Sequence, residues 1–340
     1  MALIKLSNLV ALLIFTSLTV LAFHFILGHG DASGFFDQLS AQCSNISSDE
    51  APYRLPYTGI QFIDKTLCAV VVFFHASFGP DVAPFLTYFL VSVAPIMGHA
   101  YFESSRPSRP FLMAYPVIFF QVMQLLSFGA TFSVYWMLFV LSGSSSLRSL
   151  GPQTMVTKAH AQAIIFGIFI GLIILSGCMI ILQDPYITAI WQVFPIVASV
   201  ATILHLIIRP ASLYPESGYK IIRGFYISSF ILISSMHITL LTSRGMEEMK
   251  VLMLPSINVL PTSTSIELHS LNLLQWDATF GLLSSLLGTL WFGRNVKEIF
   301  ALLAWNLLAS PLVGPGAAFS ASALWREVWL HDDLKGSKKE

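Results

Sequence analysis

The sequence predicts an all-α protein, a polytopic transmembrane helical bundle of about eight to nine spans with a seven-span core. Its 340 residues are 55% hydrophobic and 11% charged, with a mean hydropathy of +0.73. A typical soluble domain has about 25% charged residues, so this composition excludes a soluble globular enzyme and a disordered chain. The 18 basic and 18 acidic side chains cancel, which leaves no basic field to attract nucleic acid.

Runs of roughly 20 apolar residues mark the spans, because a helix of that length crosses a hydrocarbon core about 30 Å thick. The first run is interpreted as an uncleaved anchor, since Leu9–Leu27 is longer than the apolar part of a signal peptide. The fourth run is too long for one crossing and has to tilt or protrude. The ninth contains Pro311, Gly314, Pro315 and Gly316 and either crosses or re-enters. In chain order the predicted spans are about 5–27, 62–80, 84–103, 111–142, 160–182, 187–208, 222–242, 272–292 and 298–324.

These spans predict three regions along the chain. They are an N-terminal anchor span with its polar loop (1–61), a membrane-embedded helical core (62–325) and a solvated charged tail (326–340). The segments 28–61 and 243–271 are expected to be short caps over one face of the bundle. The three cysteines, Cys43, Cys68 and Cys178, predict neither a disulfide framework nor a zinc site.

The orientation in the membrane depends on one glycosylation motif. With nine spans the basic residues divide almost evenly between the two faces, so the positive-inside rule does not decide. The sequon Asn45-Ile46-Ser47, if glycosylated, places loop 28–61 in the lumen and the N-terminus in the cytosol, with the C-terminal tail in the lumen. A multi-pass protein of the endoplasmic reticulum is the expected location.

Three carboxyl groups lie within or at the ends of the predicted spans, where an ionisable side chain is costly and therefore a functional candidate. They are Asp64, Glu103 and Asp277. Because successive spans alternate in direction, the start of an even span and the end of an odd span share one membrane face. All three acids are therefore expected at that face, with Glu103 and Asp277 lining one cavity and Asp64 near its mouth.

Each acid also has a plain structural interpretation. Asp64 precedes a helix and suits an N-terminal cap, Glu103 could pair with Arg106 three residues later, and Asp277 could mark the start of its helix. Trp276 could be an interfacial anchor, and the histidines could simply be packed in the core. The possible supporting residues are Asp64, Tyr115, Gln121, His237 and Trp276, and further polar groups are Gln124 of the fourth span and Gln192 of the sixth.

Motifs for other chemistries are missing from the sequence. It contains no aspartate-rich magnesium–diphosphate motif, no histidine cluster of a di-iron enzyme, no GxSxG, no P-loop and no Rossmann fingerprint. What remains is a pair of carboxyl groups in an aromatic, water-poor cavity, where burial favours the protonated form. Such an acid suits protonation of a weakly basic oxygen or alkene in a lipophilic substrate, and no metal or other cofactor is expected.

Several short motifs resemble one known family. They are Tyr57-Thr58-Gly59-Ile60 with Ile63-Asp64, Leu67-Cys68 and Phe73-Phe74, then Glu103 with Arg106-Pro107-Ser108, and finally Trp276-Asp277. Across residues 55–330 the chain resembles the integral-membrane terpene cyclases of fungal meroterpenoid and indole-diterpene clusters, in their longer branch with an extra N-terminal span.

The resemblance implies a reaction and its acids. Such cyclases protonate the terminal epoxide of a prenylated aromatic substrate, and alkenes or a hydroxyl then trap the carbocation to give a ring or a cyclic ether. By motif position, the two acids that the family uses for protonation correspond to Glu103 and Asp277 in this sequence. The implied partners are a lipophilic epoxy-prenylated small molecule and the lipid bilayer, with no nucleic acid and no obligatory protein partner.

Two other classes remain open from the residues. One is a seven-span transporter or receptor-like protein, which requires a polar path or a ligand site among the loops. The other is a transmembrane haem oxidoreductase, which requires histidine pairs on facing helices. The available histidines, His75, His99, His205 and His237, are predicted at mismatched depths.

Overall fold

The computed structural model describes residues 2–44, 51–106, 109–146 and 155–336. Within these ranges the chain is all-α, and its extended pairing is limited to one isolated bridge between Thr157 and Ser217. The predicted fold class is therefore confirmed. The sequon at Asn45 lies outside the described residues.

The helices differ widely in length, and two are extended by a π-helical turn, at His24–Gly28 and Phe169–Ile174. In chain order they are α1 (Ala2–Phe23), α2 (His29–Ala32), α3 (Phe35–Ala41), α4 (Gln61–Ala76), α5 (Ala83–Ser104), α6 (Phe111–Ala114), α7 (Pro116–Leu125), α8 (Phe128–Leu141), α9 (Lys158–Ile168), α10 (Leu175–Leu182), α11 (Pro185–Trp191), α12 (Phe194–Ile208), α13 (Tyr219–Ser243), α14 (Met246–Met253), α15 (Ile266–Thr289), α16 (Val296–Val313) and α17 (Pro315–Gly336).

Helix α8 lies at the centre of the bundle. Its aromatic side chains Phe132, Trp136 and Phe139 are fully buried. It runs parallel to α15, with a hydrogen bond from Trp136 Nε1 to Ser285 Oγ of 3.0 Å. The two backbones approach so closely that a Cβ at Gly281 would overlap the Phe128 ring. Helix α1 packs on the other side of α8 in the opposite direction.

The two ends of α8 define the two ends of the bundle. The end at Phe128 is called the cavity end here, and the end at Leu141 the arginine end. The aromatic contacts of α1 show that it runs from the arginine end to the cavity end, because Phe15 packs on Trp291 and Phe25 on Trp276. Helix α5 runs in the opposite direction to α1.

In the part of the chain that the structure describes, five helical segments are long and apolar enough to cross a membrane, or six if the pair Pro185–Trp191 and Phe194–Ile208, bent by 66°, counts as one broken span. The sequence predicted about eight to nine. The outer helices expose large apolar side chains, with Ile181 79%, Ile208 80% and Leu307 67% exposed. Lipid, rather than water, suits such a surface. The protein is thus a polytopic membrane bundle.

The predicted fourth span, 111–142, does not cross as one helix. It folds back at Leu126–Ser127 into an antiparallel hairpin of α7 and α8, in which Phe120 packs on Phe132 with ring centroids 5.0 Å apart. The apolar run is continuous because the two limbs bury apolar side chains such as Phe120 and Phe132, while exposed side chains such as Leu125 are apolar as well. Neither a tilt nor a protrusion is needed, since the ten residues of α7 span only about 15 Å.

The predicted ninth span is a second hairpin. Helices α16 and α17 meet at Gly314, whose φ of +94° suits glycine, and Trp305 Nε1 donates to the Ala318 carbonyl 3.1 Å away. Helix α17 then returns to the arginine end. The charged tail predicted from residue 326 is wrong at its start, because Arg326 and Glu327 are buried side chains of α17.

The second predicted span, 62–80, also differs from the structure. Helix α4 is 16 residues long, about 24 Å, and side chains from Phe62 to Phe74 line one cavity. The chain therefore stays at the cavity end between α1 and α5. Because α4 does not cross, successive spans no longer alternate in direction as predicted, and the prediction that the three acids share one membrane face loses its basis. The start of α1 and the end of α17 lie at the same end of the bundle.

The cavity end is covered by both predicted caps. Cys43, after α3, forms a disulfide with Cys68 of α4, with 6.0 Å between the Cα atoms, which corrects the prediction that the cysteines do not pair. Gln38 Nε2 donates to the Thr262 carbonyl 2.9 Å away and joins the two caps. Gln275 Nε2 fixes the second cap to α15 through the carbonyls of Val251 and Leu252, at 2.7 and 2.8 Å.

Candidate functional site

A cavity of about 640 Å³ opens at the cavity end, a volume typical of sites that enclose a small organic ligand. Its wall combines helices from both halves of the chain with the first cap. Most of the lining is apolar, and nine of the side chains are aromatic: Phe35, Phe36, Phe62, Phe73, Phe74, Phe89, Phe128, Trp191 and Phe194.

Asp277 is the single acidic residue among the described residues that line this cavity. It lies in the middle of α15, and the backbone N–H of Gly129 donates to Asp277 Oδ1 at 2.8 Å. Gly129 belongs to the first turn of α8, where unpaired N–H groups and the helix dipole favour a negative charge. The start of α8 therefore fixes the carboxyl group at the cavity wall.

Other polar groups of the wall lie on both sides of Asp277. Ser127 Oγ accepts from Ala130 N at 2.9 Å and caps α8. Gln192 Nε2 donates to the Thr188 carbonyl at 3.2 Å, whereas Gln124 Nε2 is buried and has no hydrogen-bond partner among the described residues. Gln124 and Gln192 are polar groups of the predicted fourth and sixth spans, and no pattern in the sequence selects either of them for the site.

The mouth of the cavity lies between the start of α4 and the turn that joins α7 to α8. Phe62 is 81% exposed and Leu125 74% exposed, yet both also line the cavity. Lys65, one turn into α4, is the single cationic residue among the described lining and is exposed there. The opening is thus largely apolar, with one positive charge beside it.

Glu103 does not line this cavity, so the expectation that Glu103 and Asp277 face one site is wrong. Asp277 contacts Gly129 at the start of α8, whereas Arg109 and Arg326 bridge Glu103 to the Ser144 carbonyl beyond the end of α8. The 14 residues of α8 separate the two acids by about 20 Å. The physical reason is the α7–α8 hairpin, the reversal that lies between Glu103 and Asp277 in the chain and changes the alternation of the spans.

Glu103 instead lies at the centre of a buried ion cluster at the arginine end. Its Oε1 accepts from Arg106 Nε at 2.8 Å and from Arg326 Nη1 at 2.6 Å, and its Oε2 pairs with Arg109. Arg106 in turn pairs with Glu327. The predicted pairing with Arg106 is present, but the partner from α17 was not foreseen because that segment had been interpreted as a solvated tail.

Asp64 caps a loop at the outer side of α4. Its Oδ1 accepts from the N–H and the hydroxyl of Thr58, at 2.7 and 2.8 Å, and its Oδ2 accepts from Gly59 N at 3.1 Å. The contact differs from the N-terminal cap expected from the sequence, because Asp64 lies within the first turn of α4 and Ile60 occupies the N-cap position without a side-chain hydrogen bond. Asp64 does not line the cavity, although its neighbour Lys65 does.

The remaining supporting candidates also lie outside the cavity wall. Tyr115 is exposed at the break between α6 and α7, and Gln121 Nε2 donates to the Gln192 carbonyl at 3.2 Å. Trp276 Nε1 donates to the Ser256 carbonyl at 3.0 Å. His237 bridges Tyr88 and the Pro311 carbonyl, at 3.0 and 3.2 Å, beside the α16–α17 break. The side chains of Gln121, Trp276 and His237 therefore connect neighbouring segments.

Comparison with known proteins gives one match. The family model of the CtvD domain matches residues 10–331, nearly the whole chain. No curated protein and no solved structure matches it. CtvD is the name of a protein from a fungal biosynthetic cluster. The chain therefore belongs to the CtvD family, which associates it with fungal secondary metabolism.

Proposed function

We propose that this protein is a membrane-bound terpene cyclase, an acid-catalysed and metal-independent isomerase of an epoxide on a prenylated aromatic substrate. The observation that carries the proposal is Asp277, one carboxyl group in the wall of an aromatic cavity of about 640 Å³. The membership of a secondary-metabolism family supports a biosynthetic role. The endoplasmic reticulum is the proposed location.

The reaction starts with proton transfer from the Asp277 carboxyl group to the epoxide oxygen. The bond between that oxygen and the more substituted carbon breaks, the electron pair stays on the oxygen, and a hydroxyl group and a tertiary carbocation result. A neighbouring alkene or a hydroxyl group of the substrate then attacks the cation. Loss of a proton to the Asp277 carboxylate completes an isomerisation.

The start of α8 suits the charge that this step creates at Asp277. The Gly129 N–H already donates to Oδ1 before proton transfer, so no reorganisation is needed when the carboxylate forms. In this role the helix N-terminus stabilises the conjugate base that has to accept a proton at the end of the reaction.

The aromatic wall suits the cationic intermediates. Phe128 adjoins Gly129 and packs on Phe89 with ring centroids 5.7 Å apart, while Phe74 and Trp191 are 4.9 Å apart. The faces of such rings attract a cation that is shielded from water. A wall with a single carboxylate among its described residues also offers few nucleophiles to quench the cation early.

The interior of the bundle favours an enzyme over the alternative of a transporter. Between the cavity and the arginine end, Phe132, Tyr135, Trp136 and Phe139 of α8 are buried and in mutual ring contact. A transport path would have to cross this packed core. The alternative of a haem protein is not favoured either, since no histidine is among the described residues of the cavity wall.

The experiment is turnover of an epoxy-farnesylated phenol by microsomes that contain the protein. Cyclisation gives a product of unchanged mass and different retention time in liquid chromatography coupled to mass spectrometry. A product heavier by one water molecule would overturn cyclisation in favour of hydrolytic opening. Unchanged substrate across a panel of head groups and prenyl lengths would overturn the epoxide chemistry itself.

The decisive variant is Asp277→Asn, which keeps the shape of the side chain and removes the acid. Loss of general acid catalysis typically costs 10²- to 10⁴-fold in rate, so we expect turnover at that reduced level with a normal amount of folded protein in the membrane. Full activity of Asp277→Asn would exclude Asp277 as the proton donor.

A further inference from the structure

We propose that the side-chain amide of Gln124 binds the oxygen that Asp277 protonates. This inference rests on the proposed function and adds a second substrate-binding group to its site. In the sequence, Gln124 is only a polar group of the predicted fourth span, and the proposal assigns it a role in the site.

The first observation is an unpaired donor at the cavity. Gln124 lines the wall, and its Nε2 is buried without a hydrogen-bond partner among the described residues. Buried polar groups in folded proteins are nearly always paired, because an unmade hydrogen bond leaves the cost of desolvation uncompensated. An oxygen atom of a ligand in the cavity would supply the acceptor that the protein does not.

The second observation is the position of Gln124 in the hairpin. It lies in the last turn of α7, three residues before Ser127, which caps α8. Gly129, two residues further on, holds Asp277. One short turn therefore carries the donor at Gln124 and fixes the acid at Asp277, and both residues line the same cavity.

In the proposed step, the Gln124 N–H donates a hydrogen bond to the epoxide oxygen while Asp277 transfers its proton to that oxygen. As the carbon–oxygen bond breaks, electron density grows on the oxygen and the hydrogen bond strengthens. The amide neither gains nor loses a proton. Its contribution is greater in the transition state than in the bound substrate, which is the condition for a catalytic effect.

The test compares Gln124→Leu with the unchanged protein in two measurements. The first is kcat/KM for the epoxide substrate, which we expect to fall about 10- to 100-fold, as for a lost hydrogen bond to a group that develops charge. The second is inhibition by the parent alkene, which lacks the oxygen. We expect Gln124→Leu to bind the alkene with the same affinity as the wild-type protein. We also expect it to lose the wild-type preference for the epoxide over the alkene.

A matched control is Gln38→Leu, since Gln38 lies on the same end of the bundle and its Nε2 already has a partner in the Thr262 carbonyl. That variant should keep the epoxide preference. If Gln124→Leu keeps both its rate and its preference, the inference is overturned while the proposed function stands. If the unchanged protein does not turn over epoxides at all, the proposed function fails first.

A different set of observations fixes the orientation in the membrane. We infer that the cavity end faces the exoplasmic side, such as the lumen of the secretory pathway, and that the arginine end faces the cytosol. The disulfide between Cys43 and Cys68 is at the cavity end. Structural disulfides form in oxidising compartments and are rare in the cytosol.

The distribution of basic residues points the same way. Of the 13 Lys and Arg residues whose side chains the structure describes, nine lie at the arginine end and four at the cavity end, and an excess of Lys and Arg marks the cytosolic side. The nine are Arg106, Arg109, Lys158, Arg209, Lys220, Arg223, Arg294, Lys297 and Arg326, and the four are Arg54, Lys65, Arg244 and Lys250. The even split expected from nine alternating spans disappears once the hairpins are known.

The orientation is testable by cysteine labelling in sealed microsomes, whose outer face is cytosolic. In a Cys178→Ala background, Lys297→Cys reports on the arginine end and Met246→Cys, 74% exposed in the unchanged protein, on the cavity end. A membrane-impermeant maleimide should label Lys297→Cys directly and Met246→Cys only after detergent is added. Labelling of Met246→Cys in intact vesicles, or protection of Lys297→Cys, would overturn the inference.

Discussion

At the scale of single residues, Glu103 shows how one carboxylate can look catalytic in a sequence and be structural in the fold. Its charge is shared among Arg106, Arg109 and Arg326 in a buried cluster. Removing one member of such a cluster leaves charges without compensation. The role of Glu103 is therefore expected to be in stability rather than in proton transfer.

We expect Glu103→Gln to lower the free energy of unfolding by about 3–5 kcal/mol, the cost of breaking a buried ion pair from one side. Thermal unfolding in detergent micelles measures the loss. Glu247→Gln is the control, because the pair of Glu247 with Lys250 is exposed and should have little effect. A Glu103→Gln protein that unfolds normally but has no activity would return this residue to the catalytic candidates.

For Asp64 we predict only a small loss of stability and almost no loss of activity. Its two carboxylate oxygens accept hydrogen bonds from Thr58 and Gly59 and hold the loop before α4. Asn keeps one acceptor oxygen, and one lost hydrogen bond costs about 1 kcal/mol. Asp64→Asn should therefore lower the melting temperature slightly and keep turnover within a few-fold. Loss of activity comparable to that of Asp277→Asn would instead assign the proton donor to α4.

At the scale of helices, the parallel contact of α8 and α15 depends on glycine. A Cβ at Gly281 would overlap the ring of Phe128, whose neighbour Gly129 holds Asp277. We expect Gly281→Ala to destabilise the bundle by about 1–3 kcal/mol through overpacking and to lower activity by displacing the start of α8.

The control for this substitution is Gly224→Ala in α13, where nothing lies within 4 Å of the new Cβ. Alanine is the better helix former by about 1 kcal/mol, so this variant should be neutral or slightly more stable. Melting temperatures and turnover of both variants test the contact. Equal melting temperatures and equal turnover of Gly281→Ala and Gly224→Ala would mean that α8 and α15 can separate at no cost.

The disulfide between α3 and α4 gives a second prediction at this scale. Cys43→Ser should lower the free energy of unfolding by about 2–4 kcal/mol, as expected when a cross-link over a sequence separation of 25 residues is lost. Because both helices line the cavity, KM for the epoxide should also rise. Cys178→Ser, which removes an unpaired cysteine, is the control. A reductant should lower the stability of Cys178→Ser, which keeps the disulfide, and should not affect that of Cys43→Ser. An equal loss of stability in both variants would count against the bond.

At the scale of the whole molecule, hydropathy was sufficient for the fold class but not for the path of the chain. The run 111–142 is largely apolar because both its buried side chains and its exposed ones, such as Leu125, are apolar, and an apolar run does not reveal where it reverses. The sequence signal was present in Gln124 and Ser127, two polar residues at the turn. The second reversal, at Gly314, was marked by a cluster of Pro and Gly and was easier to foresee.

The site was predictable to a similar extent. Asp277 was selected because it is an acid within an apolar run, and the structure places it at the wall of the main cavity. Its supposed partner Glu103 was misplaced because the alternation of spans failed at the α7–α8 hairpin, which lies between the two acids in the chain. The Cys43–Cys68 bond and the Glu103–Arg326 pair join distant segments, and no local pattern in one sequence encodes such pairings.

The position of Arg326 in the chain has a consequence for biosynthesis. It is made 223 residues after Glu103, which at roughly 5–20 residues per second takes on the order of ten to forty seconds of translation. During that interval α5 is already synthesised, and Glu103 has only the two arginines of its own neighbourhood as partners. The ribosome therefore delivers Arg326 late, and Glu103 reaches its full set of partners only when α17 docks beside α5.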